Sequence, residues 1–192
     1  METEKLSVEK SFELIAQTIS EARSKFEENG FIYVFWGILI TIASFSQFFL
    51  LKYEYYEINY YPYFLMPLGG IFTGYYFYKK EKGKTNQISM IMGMAWVSIS
   101  TNIMLLAFIY GQYLRENLTP IILLLLGIGI FISGGSIKSK LLIISGIVIN
   151  ISAFICFWLD WNYHPLLMGI ASIVAVLIPG IILMMKSKKR HV

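Results

Sequence analysis

The sequence predicts an all-α polytopic membrane protein: six transmembrane helices arranged as three antiparallel hairpins, preceded by an amphipathic helix. Three observations carry this. Hydrophobic residues make up 56% of the 192-residue chain and charged residues only 15%, against about 25% charged in an ordinary soluble domain. The charges are unevenly spread: 31–51, 87–114 and 117–137 hold none, over 21, 28 and 21 residues. About 20 apolar residues cross the hydrocarbon layer of a bilayer. Lastly, the basic residues gather in alternate gaps between the apolar runs. This composition excludes a soluble enzyme, a disulfide-stapled secreted scaffold and a disordered chain. The single cysteine, Cys156, stands inside an apolar run, so no disulfide can form within the chain.

The first element is an amphipathic helix over 7–28, within a cytoplasmic segment 1–30. Val8, Phe12, Ile15, Ile19, Ala22 and Phe26 recur at alternating spacings of four and three, a heptad-like stripe. Ser7 suits an N-cap, Asn29-Gly30 a stop, and Glu21 with Lys25 a favourable pair one turn apart. The helix carries five glutamates against three basic residues. Helices that bind the anionic inner leaflet are rich in Lys and Arg. The stripe is therefore expected to meet protein: a second copy, a cytosolic partner, or the basic inner loops.

The six spans fall at 31–51, 62–78, 88–113, 118–137, 141–159 and 165–185, within a membrane domain 31–185 followed by a basic tail, 186–192. Fourteen of the sixteen basic residues lie on one side of this arrangement. They include Lys79, Lys80, Lys82 and Lys84, then Lys138 and Lys140, then Lys186, Lys188, Lys189 and Arg190. Only Lys52 and Arg115 lie on the other side, with Glu54, Glu57, Glu116 and Asp160. Positive loops stay cytoplasmic, so both termini are expected inside. The tyrosines of 53–63 form an interfacial belt at the first outer loop.

Each outer loop leads into a proline, Pro62, Pro120 or Pro165, as expected of a first helical turn. Gly69 follows Pro62 by seven residues, and Gly127 follows Pro120 by seven, which hints at a repeated hairpin. Gly69, Gly70 and Gly74 offer one close-approach face; Gly127, Gly129, Gly134 and Gly135 offer another. Helices in lipid associate through such close packing, because there is no water to expel between them. Pro67 and Pro179 are expected to kink their spans.

No Asp, Glu, Lys or Arg lies deep in a span, and intramembrane charges usually mark ion or proton paths. No catalytic group, metal site, cofactor or nucleic-acid surface is therefore expected. Thr41, Ser44, Gln47, Ser98, Asn102 and Asn150 form a candidate polar interior, whose first role is hydrogen bonding between helices. The alternative reading is a channel or small-solute transporter lined by those groups. His164 beside Asp160 reads as a solvated loop histidine before it reads as a metal ligand. The leading expectation is a non-enzymatic protein that binds membrane lipid. It would self-associate, or hold a regulatory or scaffolding partner, through 7–28 and the glycine faces.

Four stretches carry a resemblance: Gly30-Phe31-Ile32-Tyr33 through Trp36-Gly37, Leu65-Met66-Pro67-Leu68-Gly69-Gly70, the glycines of the fourth span, and Ile178-Pro179-Gly180. Together they resemble a group of small six-helix membrane proteins of Bacteroidetes-type bacteria that has no assigned activity. The resemblance implies a bacterial inner membrane and assigns no functional residue.

Overall fold

The computed structural model describes residues 8–80 and 87–190, and contains helices and short connections with no strand among them. Among the described residues nine α-helices follow in order. They are α1 Val8–Glu28, α2 Gly30–Lys52, α3 Leu65–Lys80, α4 Gln87–Phe108, α5 Gly111–Leu114, α6 Leu118–Ser136, α7 Lys140–Cys156, α8 His164–Ser172 and α9 Ile178–Arg190. A π-helical turn, Ile173–Leu177, joins α8 to α9 into one continuous rod. Four stretches are long and apolar enough to cross a membrane: Gly30–Lys52, Gln87–Phe108, Gly111–Ser136 and Trp161–Lys188. The α7 helix is apolar but shorter, at 17 residues. At 1.5 Å per residue it covers about 26 Å.

The centre is two antiparallel pairs. One is α6 against α7 and the other is α2 against the α8–α9 rod, with α7 also touching the rod. Leu123 and Ile130 of α6, Leu142, Ile149 and Ala153 of α7, and Ala175 and Leu183 of the rod fill the buried middle. The remaining long helices are peripheral, α3 leaning on α2 and α4 on α6. Most of the residues along α4 are exposed.

The prolines sit where a missing N–H does no harm. Pro62 opens the 3-10 turn Tyr61–Phe64, Pro120 lies in the first turn of α6, and Pro165 is the second residue of α8. Pro67 falls in the first turn of α3, which begins at Leu65 directly after the 3-10 turn. Pro179 is the second residue after the π turn, and the wider turn gives its ring room against the preceding carbonyls.

Two boundaries also differ. The third apolar run does not stay helical to 113. The N–H groups of Ile109 and Tyr110 both turn back to the Leu105 carbonyl, at 2.9 and 3.3 Å, and close the helix at Phe108. At the other end, the helix runs on past 185, so that Lys186–Arg190 is the last stretch of α9. Ser7, Lys5, Lys82, Lys84 and His191, and the side chains of Val8, Lys25 and Lys80, lie outside the described residues.

Candidate functional site

The α1 stripe divides in two. Its C-terminal half is docked: Ala22 is 2% exposed, Glu27 is buried and bonded to Arg23 at 3.1 Å, and Phe26 meets Tyr33 edge-on. This half packs against α9, with further contacts to α4 and α2. Ile19 is half-buried. The N-terminal half is bare, with Phe12 69% and Ile15 56% exposed and Leu14 uncovered beside them. Heptad spacing gave the stripe, but only its final turns reach the bundle. The helix ends at Glu28, where Asn29-Gly30 was expected to stop it, and Gly30 also serves close approach: a Cβ there would lie 2.8 Å from the Met184 nitrogen.

The glycines build two seams of the same design. At the α6–α7 seam, a Cβ on Gly134 would fall 2.6 Å from the Ile143 nitrogen, and one on Gly146 the same distance from the Phe131 nitrogen. In the seam between α2 and the rod, a Cβ on Gly180 would fall 2.8 Å from the Val34 nitrogen. One on Gly37 would fall 2.8 Å from the Leu177 Cα. Each seam thus sets a glycine from either helix against its partner's backbone. Side chains are excluded, the axes draw together, and dispersion contacts replace the water exclusion that lipid does not provide.

A second repeated device fixes the peripheral helices. Trp36 Nε1 donates to Thr73 Oγ1 at 3.0 Å, and Thr73 Oγ1 donates to the Gly69 carbonyl at 2.9 Å. Sixty residues later, Trp96 Nε1 donates to Ser133 Oγ at 3.0 Å, and Ser133 Oγ donates to the Gly129 carbonyl at 2.8 Å. Gly69 receives the rings and branches of Trp36 and Leu39; Gly129 receives those of Trp96 and Ile99. The pair α2–α3 therefore matches α4–α6 at a constant offset of 60. Proline spacing points to a different register, Gly69 with Gly127. The signal that finds the right one is the ungapped recurrence of Trp, Gly and a hydroxyl residue at that offset. In the last pair Ser145 and Pro179 occupy the corresponding places, so the tryptophan device is absent there.

The six polar candidates do not come together. Ser44 Oγ meets the Tyr63 hydroxyl at 3.2 Å, and Gln47 Nε2 donates to Asn59 Oδ1 at 2.9 Å, so both tie α2 to the loop before α3. Asn59 in turn donates to the Tyr56 carbonyl. The Thr41 hydroxyl is buried without a hydrogen-bond partner. Asn150 donates to the Gly146 carbonyl of its own helix at 2.9 Å, with its amide pressed over Gly127. Ser98 and Asn102 are exposed on α4, where Asn102 donates to the Ser98 carbonyl at 2.8 Å. These groups tie loops and satisfy their own helices; they do not line a shared path.

His164 is buried at the start of α8, not solvated, and its Nε2 lies 3.0 Å from the Leu159 carbonyl. Asp160 is engaged by the backbone and side-chain nitrogens of Asn162. No group of three His, Cys, Asp or Glu side chains that could hold a metal occurs among the described residues. Partial burial within the tyrosine-rich loop raises the Tyr60 phenol above its ordinary pKa. Comparison with protein-family models, with curated proteins and with solved structures returns no match.

Proposed function

We propose that this chain is a non-enzymatic integral membrane protein of a bacterial inner membrane. It crosses the bilayer six times as three hairpins, with both termini cytoplasmic, and works by association. Its N-terminal helix holds a second copy or a regulatory or scaffolding partner. Two further passes join the four long apolar stretches in this reading. They are α3, lengthened by the turn Tyr61–Phe64, and α7, lengthened by Phe157–Leu159. The lysine-rich gaps after α3 and α6, with the end of α9, supply the cytoplasmic charge.

The observation that carries the reading is the half-docked α1. Its last turns are anchored in the bundle while Phe12, Leu14 and Ile15 present bare apolar surface about two to three turns away. Contiguous exposed apolar surface marks a place where something else binds. The acidic balance of the helix favours protein over an anionic leaflet. Asn102 and Asn150 each donate to a carbonyl of their own helix, on α4 and α7, so the channel reading gains no support.

The test is Phe12→Ser with Ile15→Ser in the full chain at native expression, read by cross-linking in membranes. Each bare side chain buried at a contact contributes about 1.5–3 kcal/mol, so the pair should weaken the complex at least about a hundredfold. The bundle itself should be little affected, because both side chains are mostly exposed. Assembly unchanged by both substitutions would defeat the reading.

A further inference from the structure

We propose that Ser172 and Thr41 form a two-position latch between the α8–α9 rod and α2. Ser172 holds the Gly37 carbonyl while the π turn is in place. Thr41 takes that carbonyl when the turn gives up its extra residue and α8 advances by one. The latch is independent of the association reading.

It begins with an orphan. The Thr41 hydroxyl is buried with no hydrogen-bond partner. A threonine within a helix ordinarily turns its hydroxyl back to the carbonyl four residues earlier, which here belongs to Gly37. That carbonyl is already full. Its oxygen has two lone pairs. One accepts the Thr41 N–H, as the ladder of α2 requires. The other accepts from Ser172 Oγ of the rod, at 3.2 Å. Ser172 thus keeps Thr41 from its own acceptor, and a buried hydroxyl left over costs free energy. Ser172 has an acceptor to fall back on, the Met168 carbonyl one turn earlier in α8. Were it to turn there, both hydroxyls would be satisfied, and the seam would hold one hydrogen bond more.

The means of moving Ser172 lies beside it. The π turn Ile173–Leu177 starts at the next residue. Such a turn holds one residue more than an α turn, and π turns gather at functional sites. If the turn becomes α-helix while α9 stays, the extra residue passes to α8, and each residue there takes its predecessor's place. Ile173 then stands where Ser172 stood. Its side chain has no donor, so the Gly37 carbonyl falls to Thr41. The α9 end is the fixed one, because Gly180 sets it against the Val34 backbone and Gly30 sets α2 against the Met184 backbone. Gly169 of α8 meets instead the ring of Phe45, at 3.2 Å and beyond. Packing favours the first position. Met168 is buried there and its sulfur accepts from the Tyr63 hydroxyl at 3.9 Å, while Tyr63 also meets Ser44. The advance puts Gly169 in that place and moves Met168 to the half-buried place of Leu167. A hydrogen bond gained against packing lost leaves two states close in free energy. The second frees the loop before α3 from its hold on α8.

The experiment follows position 168 in the full chain, with Cys156→Ala and Met168→Cys, in nanodiscs where a maleimide reaches both faces. Ser172→Ala removes the bond of the first position and should raise the labelling rate about fivefold, the factor carried by one hydrogen bond of ordinary strength. Thr41→Val removes the bond of the second position and should lower the rate about fivefold. Unfolding cannot imitate that slowing, since it only exposes the thiol. Thr41→Ser keeps the hydroxyl and should label as the parent does. Thr41→Val should also reverse the gain caused by Ser172→Ala. In a chain lacking Val174 the turn has no residue to give up, so Ser172→Ala should no longer change the rate. Rates that rise with both substitutions would mean two packing defects, and overturn the latch. A rate indifferent to Thr41→Val overturns it too, and makes the orphan hydroxyl a site for buried water. An undiminished Ser172→Ala effect in the chain lacking Val174 likewise overturns it.

Discussion

A leucine at position 146 should prise α6 from α7 and destabilise the protein by about 3 kcal/mol, the upper end of what overpacking costs. The cause is local. The first side-chain carbon alone would fall 2.6 Å from the Phe131 nitrogen and 2.7 Å from its Cα. Those are backbone atoms of a helix that is itself packed, so no rotamer change relieves the clash. The helices must separate, and each contact along the seam weakens with distance. Gly134→Leu should act alike from the other side, and combining the two should cost less than their sum, because the first already opens the seam. Gly135→Leu, one residue away and open to its surroundings, should change stability by less than about 0.5 kcal/mol. Thermal unfolding in detergent reads all four. A Gly146→Leu chain as stable as the parent would remove the seam from this account.

Trp96→Ala should have an effect of similar size, about 3 kcal/mol, by a different route. The indole spans α4 and α6. Its ring lies over Gly129 and its nitrogen donates to Ser133 Oγ. Because α4 is otherwise so exposed, this one side chain supplies much of what holds it. Its loss should free α4 and open the connection 109–117 to protease. Trp96→Phe keeps most of the ring contact and loses only the hydrogen bond, a cost of about 1 kcal/mol. Equal effects from alanine and phenylalanine would mean that the ring contact contributes nothing.

The helices and their order were legible because one physical signal dominates. Uncharged runs of bilayer length, cut by lysine clusters and prolines, locate α2, α6 and the rod to within a few residues. Charge alone could not place the end of α4, since the chain stays uncharged to Leu114 while its N–H groups converge on Leu105. Periodicity found the α1 stripe but could not say that Ala22 is docked and Phe12 is not, because that depends on where α9 ends. The glycine faces were only half legible. Gly69 and Gly70 are adjacent, so on a helix they point about 100° apart, one into Trp36 and the other outward. The polar residues misled for a related reason. Composition counts Asn102 and Asn150 as intramembrane amides, whereas each donates to a carbonyl one turn back on its own helix.

The layout in the bilayer is tested most directly by labelling single cysteines, in a Cys156→Ala chain, with a membrane-impermeant maleimide on intact cells. Six passes with both ends inside predict that cysteines at Glu54, Glu116 and Asp160 are labelled from outside. Those at Glu13 and Lys186 should react only after lysis. Labelling of Glu13→Cys and Lys186→Cys from opposite faces would contradict it.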